Sequence, residues 1–295
     1  MRPFALSAAV FAATVLSQKK GEKTECADGL YMIAVRGTNE DKGSGRIGEI
    51  AEDVSKRVNG SIVTPLDYPA TLQDPDYFDS EGAGVKALSE ALDDYHSSCP
   101  NGKIAVFGYS QGGQVATDVL CGGSDNKPLA MSLVKDSVVA IIAFGDPSHV
   151  ANLTYDRGTS KNDGIFERPS NETKLCEDNY SHIFRSYCDT GDVYCDVGNN
   201  NETHGSYFEK YGKEVVDFVV ERYEKALKEE STSTKTSAAT ATAETSGSAT
   251  ASDASATASD APSATTAAPG NAAAGLVPGL VLAMIPLALA VSGFL

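Results

Sequence analysis

Three observations predict a three-layer α/β fold built on a central parallel sheet. Short apolar runs rich in β-branched residues recur along the middle of the chain, segments of helical periodicity lie between them, and Gly, Asp or Pro punctuates the joins. The runs are apolar throughout rather than alternating, as strands buried on both faces are, so helices are expected to cover both sides of the sheet.

Met1 to Ser17 sets Arg2 ahead of the apolar run Phe4 to Leu16, the layout of a secretory signal peptide over residues 1–17. Leu30 to Val35 (LYMIAV) reads as the first strand. Ile47, Ile50, Ala51, Val54 and Val58 then recur at three and four positions, marking a helix. Ser61 to Leu66 is a second strand, and Val85, Leu88, Ala91, Leu92 and Tyr95 mark a second helix. Lys103 to Phe107 (KIAVF) is a third strand, followed by a glycine-rich turn and the helical run Gln114 to Leu120. Ser137 to Phe144 (SVVAIIAF) is a fourth strand. Tyr207 to Leu227 closes the expected domain, residues 18–230, as a helix with Val215, Val216, Phe218, Val219 and Tyr223 on its apolar side.

Beyond it, 32 of the 40 residues from Ser231 to Gly270 are Ser, Thr or Ala, which leaves almost nothing to bury and predicts a disordered, O-glycosylated linker. Residues 271–295 begin with small residues and continue into the uncharged Leu276 to Leu295. No basic residue follows Lys235. That pattern fits a GPI attachment signal, with Asn271 or Gly270 as the attachment residue, better than a spanning helix, which is usually followed by Lys or Arg.

The formal charge of -16 arises from 24 Lys plus Arg against 40 Asp plus Glu, with no basic cluster, which excludes nucleic acid as a partner. Six cysteines in 295 residues are too few for a disulfide-dependent scaffold, yet an even number with close pairs suits an oxidising compartment. No C-x-x-C pair occurs and the histidines are scattered, so no metal is expected. Sequons at Asn59, Asn152, Asn171, Asn179 and Asn201 agree with passage through the secretory pathway.

The chemistry concentrates after the third strand, where Gly108-Tyr109-Ser110-Gln111-Gly112 is G-x-S-x-G in strand-turn-helix context. The turn is too tight for side chains two residues either side of the serine, and it lifts the hydroxyl clear of the sheet, as in α/β-hydrolases. The helix that follows offers unpaired N–H groups to an oxyanion. A serine hydroxyl needs a base and an acid that orients the base. Of His96, His149, His182 and His204, the order Ser, acid, His excludes His96 and favours His204, which leaves an acid-rich stretch upstream; His149 and His182 read as surface or capping residues. Spacing alone leaves Asp189, Asp192 and Asp196 open.

The blocks AVRGTNE (Ala34 to Glu40), FGYSQGGQ (Phe107 to Gln114), FGDP (Phe144 to Pro147) and YCDTGDVYCDVGNNNETHGSYFEKYG (Tyr187 to Gly212) resemble the cutinase family of serine esterases, which includes fungal acetylxylan esterases. The resemblance runs through most of Cys26 to Val220. It implies a cutinase-like three-layer α/β-hydrolase without cofactor, Asp192 as the acid, and an oxyanion hole from Gln111 and Thr38. It also implies the pairs Cys26–Cys99 and Cys188–Cys195, the latter bracketing the acid, which leaves Cys121 to pair with Cys176. A secreted monomer is expected, lipid-anchored at the cell surface, that deacetylates plant cell-wall polysaccharide. The alternatives are a cutinase acting on polyester and a non-catalytic wall-anchored protein. The stretch Asp196 to Thr203 (DVGNNNET), with Val197 its one aliphatic side chain, favours the acetylxylan esterase branch.

Overall fold

The computed structural model describes residues 24–123 and 126–243. The expected signal peptide, most of the Ser/Thr/Ala linker and the anchor signal lie outside the described residues. Six strands, β1 (Leu30–Val35), β2 (Ile62–Pro65), β3 (Lys103–Tyr109), β4 (Val138–Phe144), β5 (Asp156–Gly158) and β6 (Phe184–Cys188), form one sheet in the order β2-β1-β3-β4-β6-β5. Every neighbouring pair is parallel.

Successive side chains along a strand point to opposite faces, and both faces are covered. Ile33, Val35, Ile104, Val106 and Ile141 pack with α2 (Tyr77–Ser98), α3 (Gln111–Cys121), α4 (Met131–Ser137) and α5 (Ser170–Tyr180). Met32, Ala34, Ala105, Phe107 and Ile142 face the opposite way, against α1 (Ile47–Ser55) and α7 (Tyr207–Ala243). A short α6 (Asn201–Gly205) precedes α7. The three-layer α/β architecture with a central parallel sheet is thus the one expected.

Two helices begin earlier than periodicity indicates. α2 starts at Tyr77 because the Asp76 side chain caps it, accepting from the Phe78 and Asp79 amides at 3.0 and 3.1 Å. Gly82 and Gly84 interrupt its apolar stripe, and Gly84 is required, since a Cβ there would lie 2.7 Å from Val115 and 2.8 Å from Tyr68. α3 starts at Gln111, immediately after the serine. β5, β6, α4 and α5 carry too little apolar signal to stand out in the sequence. α7 continues as helix past Glu230 to Ala243, into the stretch expected to be a linker; alanine is the strongest helix former, so the backbone need not break there.

α7 spans the height of the sheet. It begins beside the carboxyl ends of the strands, and Glu230 reaches Lys103, the first residue of β3, at 3.6 Å.

All three pairings, Cys26–Cys99, Cys121–Cys176 and Cys188–Cys195, are formed. The first ties the segment ahead of β1 to the end of α2, the second joins α3 to α5, and the third closes a loop after β6. Asn59, Asn152, Asn171 and Asn201 are exposed; Asn179 is half-buried and donates to Leu175 within α5.

Candidate active site

β3 ends at Tyr109 and α3 begins at Gln111, so the chain reverses on Ser110 alone. Its backbone stands at φ 55° and ψ -122°, a conformation that an L-residue holds only when its surroundings impose it. The glycines that flank it are sterically obligatory: a Cβ on Gly108 would sit 2.2 Å from Gly112 O, and one on Gly112 would sit 2.1 Å from Val35 O. The Ser110 amide is spent on Phe144 O at 2.8 Å. The α-helical ladder opens with Gln114 N donating to Ser110 O, so the amides of Gln111 to Gly113 lie ahead of it.

Of the three candidate acids, one meets a histidine. Asp192 is wholly buried, and its Oδ2 accepts from His204 Nδ1 at 2.8 Å and from the Tyr207 hydroxyl at 2.6 Å. Its Oδ1 accepts from the amides of Tyr194 and Cys195 at 2.8 and 3.2 Å. Burial pushes the Asp192 carboxyl up, but the hydrogen bond and charge of His204, with the Tyr207 and Tyr194 bonds, hold it below the ordinary carboxylate value. Asp189 is occupied by Lys210, Tyr211 and Thr159, and Asp196 by Ser160, Asn162 and the Gly191 amide. Both are braces of the loop. The Cys188–Cys195 bridge encloses Asp192, and the Cys195 sulfur lies 3.3 Å from the Tyr207 hydroxyl.

His204 Nε2 is buried and without a hydrogen-bond partner. Its ring packs between Tyr109 and Tyr194 and lies against Gly145, where a Cβ would come 2.8 Å from the imidazole. The other histidines are elsewhere. His149 is buried, not at the surface as expected, 3.2 Å from Ser186 Oγ, and burial depresses its pKa. His182 lines a groove with Arg222 near the amino end of β4, and His96 meets Ser137.

Ser110, His204 and Thr38 line one cavity of about 280 Å³, whose other walls include Leu72, Tyr77, Pro147, Ile165, Phe166 and Tyr194. Thr38 sits in a loop held from below. Buried Arg36 donates to the carbonyls of Glu40, Leu66, Tyr68 and Pro69, and Glu40 accepts from the amides of Gly37 and Arg46. The Gln111 side chain is pinned by Ser80, Thr71 and Tyr77, which fixes the first turn of α3. Arg36, Glu40 and Tyr207 escaped the sequence reading as site residues. Tyr207 follows His204 by three positions, a spacing that carries no signal until the loop folds back on Asp192. Among the described residues, no group of three or more His, Cys, Asp or Glu side chains could hold a metal ion.

Comparison with known proteins agrees with this picture. The cutinase family model matches residues 26–223. Acetylxylan esterase 2 of Talaromyces purpureogenus is 32% identical over 210 residues, covering 67% of this chain and 88% of that protein. Cutinase 11 of Verticillium dahliae is 31% identical over 228 residues, covering 72% of this chain and 75% of that one. Among solved structures, the catalytic core domain of acetyl xylan esterase from Trichoderma reesei superposes with a TM-score of 0.62 at 29% identity, over 67% of this chain and all of that one.

Proposed function

The chain belongs to the cutinase family and is an esterase, and from that premise we propose a serine mechanism carried by Ser110, His204 and Asp192. The observation that supports it most is the state of the imidazole: Nδ1 is committed to Asp192, leaving Nε2 uncommitted on a ring that lines the cavity with Ser110. His204 Nε2 takes the Ser110 proton as Oγ attacks the ester carbonyl. The oxyanion is received by the Gln111 amide and by Thr38. Collapse expels the alcohol with the proton from His204 and leaves an acyl group on Ser110. A water activated by the same nitrogen then releases the acid. No cofactor takes part.

We infer that the substrate is a short acyl ester of a polysaccharide. The names of similar proteins favour acetylated xylan, and the Asp196 to Thr203 stretch adds one aliphatic side chain beside the site, so it gains little from a long chain. A cutin-like polyester is the second reading, favoured by Leu72 and Ile165, which line the cavity and stand 53% and 41% exposed. Hydrolysis of p-nitrophenyl esters separates them. kcat/KM is expected to fall from acetyl through butyryl to octanoyl, and a rise with chain length would assign the protein to polyester.

For location, the sequence supports secretion and a lipid anchor near Asn271. In the host, a phosphatidylinositol-specific phospholipase is expected to release the protein from membranes. Release by detergent alone would overturn the lipid anchor in favour of a spanning segment.

A further inference from the structure

Behind the pocket wall lies a charged cluster that the reaction does not touch. Glu81 of α2, Thr117 and Asp118 of α3, Asp146 and Ser148 after β4, and Arg168 ahead of α5 are all buried. Arg168 pairs with Asp118 and donates to Thr117 Oγ1 at 2.7 Å, Ser148 Oγ at 2.8 Å and Gly122 O at 3.0 Å. Asp146 accepts from Thr117 Oγ1, Ser148 Oγ and the Ser148 amide, each at 2.7 Å. Two acids therefore already face one guanidinium.

Glu81 is a third acid. Both of its oxygens are buried and receive no N–H or O–H donor, and the Asp118 carboxyl is near enough to push its pKa up. Two carboxyl groups bond to each other only with a proton between them. The cluster also reaches the cavity. The amides of Gly164, Phe166 and Arg168 donate to the carbonyls of His149, Pro147 and Ser148, so the strip bearing Ile165 and Phe166 is laced to Pro147, and Arg168 bolts that strip to α3.

Building on the esterase reading above, we propose that Glu81 is a positioning residue: a protonated carboxyl that bridges to Asp118, keeps the Asp118–Asp146–Arg168 cluster at one excess negative charge, and thereby holds the Pro147, Ile165 and Phe166 wall against the nucleophile helix. Burial, then the charge and hydrogen bond of Asp118, push Glu81 up to about 9. The other groups that face it are Arg168, which opposes the shift, Asp146, which adds to it, and Tyr68 and Tyr77, whose hydroxyls burial keeps neutral. A carboxyl raised in the folded state contributes stability in full below its unfolded value, and that contribution is lost as pH rises towards about 9.

Glu81→Gln tests this, because an amide N–H can donate to Asp118 and has no proton to lose. For the wild type, kcat/KM on a p-nitrophenyl ester is expected to fall about tenfold per pH unit above the ionisation, mainly through a rising KM as the wall loosens. The variant should keep its plateau, and its Tm relative to wild type should climb from pH 5 to pH 9. The same alkaline limb in both proteins, with a constant Tm difference, would overturn the proposal. Should Glu81→Gln not fold, Asp118→Asn removes the same repulsion and should also lack the limb; a limb unchanged in Asp118→Asn would overturn the proposal equally. A wild type inactive at every pH would sink the serine mechanism instead, and the Tm comparison would still decide the role of Glu81.

Discussion

Ser110→Ala is expected to lower ester turnover by about 10⁴- to 10⁶-fold while leaving the fold and Tm intact, and to abolish covalent labelling by an organophosphonate. A loss this large is expected because, in the proposed mechanism, Ser110, His204 and Asp192 act as a unit. His204→Ala should therefore be comparably severe, and the double variant little worse than either single one. Asp192→Asn should cost about 10⁴-fold, since an amide facing Nδ1 leaves the imidazole in the wrong tautomer. His149→Ala and His182→Ala should retain turnover, because His149 lies against Ser186 and His182 faces Arg222. Labelling that survives Ser110→Ala would move the nucleophile elsewhere.

Arg168→Met should produce the largest loss of stability. Asp118 and Asp146 would stay buried without their cation, and stranding a buried charge in this way costs about 3–5 kcal/mol. Domains are stable by only about 5–15 kcal/mol, so a Tm lower by roughly 10 °C or more is expected in thermal unfolding followed by circular dichroism. The exposed Lys86–Glu90 pair is the control, because breaking it should cost well under 1 kcal/mol. Equal effects of Arg168→Met and Lys86→Ala would mean that water reaches the cluster.

The sequence discloses those parts of the fold whose burial is local and periodic. LYMIAV, KIAVF and SVVAIIAF announce central strands because both their faces are covered, and the Gly108 to Gly112 turn announces the candidate nucleophile because only glycine survives the packing there. β5 is only Asp156-Arg157-Gly158, and β6 carries Arg185 and Ser186; their pairing with neighbours, not their composition, makes them strands. The candidate acid is hidden for a related reason. Asp189, Asp192 and Asp196 stand in one short polar loop, and their roles diverge only once Lys210, Tyr207 and Ser160 arrive from distant positions. Glu81 reads as one more acidic residue on a helix because Asp118 and Arg168, which define it, lie far along the chain.

The course of α7 has a mechanical consequence. The helix starts three residues after His204 and by Glu230 has reached the opening residue of β3, at the opposite pole of the sheet from Ser110. At about 3.3 Å per residue, the seven residues of β3 separate the two poles by roughly 23 Å. A pull on the far end of α7 is therefore applied at the bottom of the molecule and leaves the mouth of the cleft pointing away from the point of attachment. Grafting the domain to a bead or a surface through that end should leave the cleft open to an ester substrate in front of it, whereas attachment through the segment that carries Cys26, which shares a groove with Lys103 at the amino end of β3, would load the Cys26–Cys99 disulfide.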